Sequence, residues 1–325
     1  MLANGIELSF DHAAPRFTAT SAPFKALLQE WQAAGHAAPW PGAGEDAWVG
    51  TPSANSICRM LSSRLAEAGG TLLFGRHVRT TTHDAITGQW TVSATNRAGG
   101  ATETHTFDAL VFSDKLLLLP NPYAVLSADN WGELALPTAL SSTGAVVLML
   151  ALEQPPSTAH PPLLETAAQP PLRLLVHDSS KPLRPEAQTA DGRPLDLWVA
   201  HSTHEYAIAH LSGDDPPTLD DPEAVLAEMK AAALAALAPH CEAADLENGP
   251  TVAYADAFVW DHAQTAEGSR LRKTHLLDAS RMAGVCGDFF AGDADVPYDG
   301  VEAAAMSGIA LAEALAAALR SCSDK

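Results

Sequence analysis

Residues 282–315 read MAGVCGDFFAGDADVPYDGVEAAAMSGIALAEAL, and their reading decides the fold. A short apolar run predicts a strand over 282–287 that ends at Gly287, beside Asp288. An acidic loop follows, then an Ala-rich segment that predicts a helix from about 300 to 320. Glycine lets a backbone pass close to a ligand. A carboxylate after a strand accepts hydrogen bonds from sugar-type hydroxyls, which gives Asp288 a binding role. A helix starting at Gly300 aims free N–H groups and the positive end of its dipole at an anionic or electron-rich group. Ala303, Ala304, Ala305, Ser307 and Gly308 are small enough for close packing against a sheet or a cofactor. The same residues also suit a C-terminal core helix capped by Asp299, and the pattern alone leaves the two readings level.

The rest of the chain bounds the answer. Its 325 residues suffice for one large domain or two intertwined ones. With 47% hydrophobic and 18% charged residues it has the makings of a packed core. A formal charge of −20 argues against nucleic acid or an anionic membrane as partner, because both repel it. Cys58, Cys241, Cys286 and Cys322 form no CxxC pair, which fits free thiols in a reducing compartment. The sequence shows no apolar run of membrane-span length and no secretory leader, so an intracellular, soluble protein is expected.

Alternation and apolar spacing predict strands at 5–10, 71–76, 89–95, 107–112, 145–152, 172–177 and 195–201. Helices are predicted over 22–38, from Ser53 or Asn55 onward, and over 222–238 between Pro222 and Pro239. Strands with few helices between them point to an antiparallel sheet in the middle of the chain. The expected division is therefore one layered α/β domain from 1–112 and 275–325, and a sheet-rich insertion from 113–274.

Several stretches together resemble one family. They are FDHAAPRFTA (10–19), LLQEWQAAGHAAPW (27–40), WVGTPSANSICRMLSSRLA (48–66), VRTTTHDAITGQWTV (78–92), SSKPLRPE (179–186) and LDLWVAHSTHEYAIAHL (195–211). With the C-terminal block, they are similar to the renalase-like branch of the FAD-dependent amine oxidase superfamily. FDALVFSDK (107–115) is closer to plant and algal members, which keeps a plastid open beside the cytoplasm. The resemblance runs in order along nearly the whole chain. It implies an α/β fold, with an FAD-binding Rossmann-like domain of the p-hydroxybenzoate-hydroxylase-like kind and an antiparallel-sheet substrate domain. It implies FAD as cofactor, with the Val78 backbone beside the adenine and Gly287 and Asp288 at the ribityl chain. Gly300, Val301 and Glu302 would lie near the flavin pyrimidine edge. Trp260 and His262, in FVWDHAQ, match a stretch that faces the family's substrate cavity, with core packing an equal reading.

Two departures stand out. Family members open on strand, GxGxxG, helix and strand, whereas the residues here begin beyond that unit, so the FAD domain is expected to be N-terminally incomplete. The one GxGxxA match, Gly42 to Ala47, follows APWP and precedes WVGTP and is read as a loop. Where members carry Gly-Ala-Gln-Tyr-Phe, this chain has Ala13-Ala14-Pro15-Arg16-Phe17. His201, His204, Glu205 and His210 lack metalloprotease spacing, and Asp293, Asp295 and Asp299 lack the closing Glu of a calcium loop. No metal site is predicted, and no residue is singled out as catalytic acid or base.

The expected function is a FAD-dependent oxidoreductase that oxidises a small amine or a reduced nicotinamide-like substrate. The alternative is a non-catalytic remnant or fragment that no longer binds FAD. Without the phosphate-binding turn, these 325 residues are expected to bind FAD weakly or not at all, and to expose an unpaired strand edge.

Overall fold

The computed structural model describes residues 2–3, 6–118, 124–126, 134, 136, 140–153, 161–166, 170–213, 217–240, 250–266, 268–292 and 300–323. The chain divides into two compact units. Unit 1 holds 1–19, 25–61 and 142–264, and unit 2 holds 20–24, 62–141 and 265–325. Five helices occur in the described residues: α1 (Ala22–Ala33), α2 (Asn55–Glu67), α3 (His204–His210), α4 (Pro222–Leu237) and α5 (Gly300–Ser323).

Unit 1 is built on an antiparallel sheet. Its main path runs Leu163–Glu165, Leu172–His177, Pro194–Ser202, Ser142–Glu153, Thr251–Thr265. The strand Ser142–Glu153 is apolar at nearly every position because both faces are covered. Val146, Leu148, Leu150 and Leu152 pack with Val225, Met229, Ala233 and Leu237 of α4. Ala145, Val147, Met149 and Ala151 pack with Leu8, Phe10, Trp40 and Val49. Asp221 starts α4 by accepting a hydrogen bond from the Ala224 N–H at 3.0 Å, with Pro222 in the first turn. Gly42 and Gly44 lie in the loop between the antiparallel strands Ala37–Pro39 and Ala47–Gly50. The GxGxxA match is thus a hairpin connection, not a strand-to-helix turn.

In unit 2, Ala283–Val285 runs parallel to Leu110–Phe112 and antiparallel to Leu276–Asp278. A second, antiparallel sheet is formed by Arg76–Asp84, Gln89–Asn96 and Thr102–Phe107. Trp90, Phe112, Leu118, Val285, Phe289 and Phe290 make the core between them. The Trp90 indole N–H donates to the Arg281 carbonyl at 2.7 Å. Helix α5 lies so close to the short strand that a Cβ on Gly284 would sit 2.3 Å from Leu311 Cδ1.

Four expectations need correction. First, residues 71–75 form no strand. Leu72, Leu73 and Phe74 are exposed, Gly75 takes a positive φ, and the strand begins at Arg76. The β-branched run Thr80–Thr82 carries the ladder, not the leucines. Second, within 5–10 only Ile6–Glu7 pairs, with Leu2–Ala3, while Leu8 and Phe10 join the core of unit 1. Of the strands expected beside 282–287, only Leu110–Phe112 is there.

Third, most of 1–61 packs with 142–264, whereas 1–112 was expected to fold with 275–325. Apolar packing of Leu8, Phe10, Trp40 and Val49 on the unit 1 sheet joins these stretches, and so does a buried ionic cluster. Lys181 Nζ lies 3.1 Å from Asp11 Oδ2 and 2.7 Å from Asp178 Oδ1, and Arg184 contacts both carboxylates. Asp11 also accepts from the Ala54 N–H at 3.0 Å. Fourth, among the described residues one helix is long and apolar enough to cross a membrane by length and composition, Gly300–Ser321 within α5. Its small residues make a continuous apolar stretch, yet Ala303, Ser307 and Leu311 are buried within the chain itself.

Candidate functional site

The parallel pair Leu110–Phe112 and Ala283–Val285 organises the site in unit 2. Parallel strands end on the same side, and ligands of open α/β sheets bind outside those carboxyl ends. Gly287 and Asp288 follow directly after one strand. Asp114 and Lys115 follow the other. Gly287 has φ 153°, and a Cβ there would lie 2.4 Å from Phe289 Cε1, so the turn admits only glycine. Its N–H donates to Ser307 Oγ of α5 at 3.1 Å. This bond fixes the turn to the second turn of the helix. Asp288 is half-buried between the inward Gly287 and Phe289.

The predicted residues are partly gathered. Val78 packs against the cluster that holds Val285 and Phe289, on a strand whose register shifts between Val78 and Thr80. Gly300 and Val301 open α5. Residues 293–299, including Asp293, Asp295 and Asp299, lie outside the described residues.

The Glu302 carboxylate is engaged within the chain. It is 1% exposed, and both carboxylate oxygens are engaged. Oε2 accepts from the Thr20 N–H at 2.8 Å and the Thr20 hydroxyl at 2.9 Å, and Oε1 accepts from the Ser21 N–H at 2.8 Å. Its side chain therefore satisfies free amides just before α1, as a carboxylate does at a helix start. Those amides lie 282 and 281 residues away in sequence, so no local pattern signals the pairing.

Lys115 is the residue that sequence reasoning missed. It is 5% exposed and donates to Thr265 Oγ1 at 3.1 Å. Its ammonium also lies 5.9 Å from the centre of the Phe289 ring. The signal was present in FSDK: a lysine three residues beyond a predicted strand end.

Unit 1 carries a separate aromatic group. His12 stacks on Trp260 at 5.6 Å and tilts against Phe258 at 5.1 Å. His12 Nδ1, Trp260 Nε1 and His201 Nε2 are buried without a hydrogen-bond partner. Burial, with Arg173, Lys181 and His12 nearby, pushes the His201 pKa down to about 3, so this ring is neutral at ordinary pH. Of the predicted pair, Trp260 joins this group, whereas His262 is exposed beside Asp261.

No protein-family model and no curated protein matches the chain. Among solved structures it is similar to an oxidoreductase from Methanosarcina mazei, with TM-score 0.50 and 15% identity over 82% of this chain and 56% of that one. It is also similar to the flavin-dependent monooxygenase PieE, solved in complex with FAD and substrate, with TM-score 0.38 and 15% identity over 82% of this chain and 38% of that one. The chain thus spans about half the length of the first. The first likeness shows a shared mixed α/β fold; the second is too distant to carry an argument.

Proposed function

We propose that the chain is a FAD-dependent oxidoreductase whose unit 2 contributes to the flavin site. The observation that carries this reading is the parallel strand pair with the Gly287–Asp288 turn at its carboxyl end, bonded back to α5 through Ser307. This chemistry suits a dinucleotide: a close-approach glycine, a half-buried carboxylate for ribityl hydroxyls, and a helix opening at Gly300. In this reading Asp288 holds the ribityl chain, the Val78 backbone lies by the adenine, and the Gly300 and Val301 amides serve the pyrimidine edge. Glu302 acts through position, because its carboxylate anchors Thr20 and Ser21. When bound, the flavin supplies the hydride acceptor.

For the substrate, we favour a reduced nicotinamide-like ring over a small amine. His12, Phe258 and Trp260 offer flat aromatic faces, and three ring nitrogens nearby lack partners. FAD titration followed by flavin fluorescence tests the proposal. Saturable quenching in the wild type, weakened about tenfold or more in Asp288→Ala through loss of charge-assisted bonds, is expected. Identical titrations for the two proteins would remove Asp288 from the site, and no quenching at any concentration would sink the flavin reading for these 325 residues.

A further inference from the structure

Lys115 carries an inference beyond the flavin reading. A lysine ammonium has three donors. Among the described residues only one is engaged, on the neutral Thr265 hydroxyl, and the Phe289 ring adds a weak cation–π contact at 5.9 Å. Among the described residues no carboxylate forms an ion pair with it, although it is 5% exposed. Buried charges are otherwise paired, since an isolated buried ion is costly. The second observation is position. Lys115 opens the short 3-10 turn Lys115–Leu117 after Leu110–Phe112, held by Asp114 accepting from the Leu116 N–H at 2.9 Å. It therefore stands at the carboxyl end of the parallel pair, and Phe289 directly follows Asp288.

We propose that Lys115 is an oxyanion-binding residue, whose buried ammonium at this strand end receives a phosphate-type group of a nucleotide. Lysine serves phosphate as a point charge, without the bidentate geometry of arginine. The proposal rests on the nucleotide site proposed above but not on the flavin ring. It gives unit 2 a phosphate contact of its own.

The test titrates wild-type protein and Lys115→Met with inorganic pyrophosphate, ADP and adenosine by calorimetry. Pyrophosphate and ADP should bind the wild type and weaken about 10- to 100-fold in the variant, the size of one charge-assisted hydrogen bond. Adenosine, without phosphate, should not distinguish the two proteins. Binding of ADP but not pyrophosphate, still lost in the variant, keeps the proposal and assigns the phosphate to a nucleotide. Should Lys115→Met not fold, acetylation of lysines in the wild type decides the matter. Pyrophosphate or ADP should slow modification of Lys115 and leave the exposed Lys25 unaffected, read by peptide mass spectrometry. Equal affinities of wild type and variant, or no protection of Lys115, would overturn the proposal. If FAD fails to bind while ADP binding depends on Lys115, the flavin reading falls and this one stands. The reverse pattern removes Lys115 and leaves the flavin reading intact.

Discussion

Each unit buries a lysine, and the two are treated in opposite ways. In unit 1, Lys181 sits within ion-pair distance of Asp11 and Asp178, with Arg184 against the same carboxylates. Every charge there faces an opposite one, and the residues come from two stretches of chain, at 11 and 178–184. In unit 2, Lys115 meets a hydroxyl and an aromatic ring. The contrast separates a closed cluster within unit 1 from a group that, among the described residues, meets no carboxylate. A buried charge by itself therefore says little about function; its unmet bonding capacity says more.

The widest gap between the two should appear on substitution. Lys181→Met leaves two buried carboxylates facing one arginine, and breaking such a pair costs about 3–5 kcal/mol. Denaturant unfolding should register that loss; a change under about 1 kcal/mol would mean the cluster is solvated and not closed.

Acid provides the next largest effect. His201 has a folded pKa of about 3, below its ordinary value of 6.5. The unfolded chain therefore binds the extra proton first, and stability falls as pH drops from about 6.5 toward 3. The contribution lost between pH 7 and 4 is on the order of 3 kcal/mol. Relative to His201→Leu, the wild type should lose that much over this window, and parallel pH profiles would contradict the depressed pKa.

Glu302→Gln should cost about 2 kcal/mol, because a neutral amide weakens charge-assisted bonds to Thr20 and Ser21. Faster amide exchange at Thr20 and Ser21 is the accompanying signature; unchanged exchange would show that the carboxylate is dispensable there.

The smallest effect is expected at Lys115. Lys115→Met strands no carboxylate, so stability should stay within about 1 kcal/mol of wild type or rise. A loss as large as that of Lys181→Met would erase the contrast between the two lysines.

Much of this arrangement was legible in the sequence, for identifiable reasons. The strands at 145–152, 172–177 and 195–201 were found because both their faces are buried, which leaves long apolar runs. Helix α4 announced itself through Pro222 and Pro239, and the apolar 282–287 run marked the short strand Ala283–Val285. The misreadings have a common physical source. Leu72–Phe74 is apolar yet exposed, so hydrophobicity pointed to the wrong segment, while Val78 lies in a polar strand carried by threonines. Partners far apart in sequence left no local trace. Asp11 meets Lys181 across 170 residues, a contact that no pattern near residue 11 announces.

The end strand Leu110–Phe112 has one further consequence. The Leu110 N–H donates to the Met282 carbonyl at 3.0 Å, and the Phe112 carbonyl accepts from the Cys286 N–H at 3.0 Å. Backbone groups alternate in direction along a strand, so Val111 turns its own N–H and carbonyl the other way, where no strand neighbour exists among the described residues. Deuterium uptake should therefore be fast at Val111 and slow at Leu110, adjacent residues of one three-residue strand. That single pair of amides is a built-in gauge of the sheet's occupancy: a chain segment that extends the sheet would slow Val111 to the pace of its neighbour.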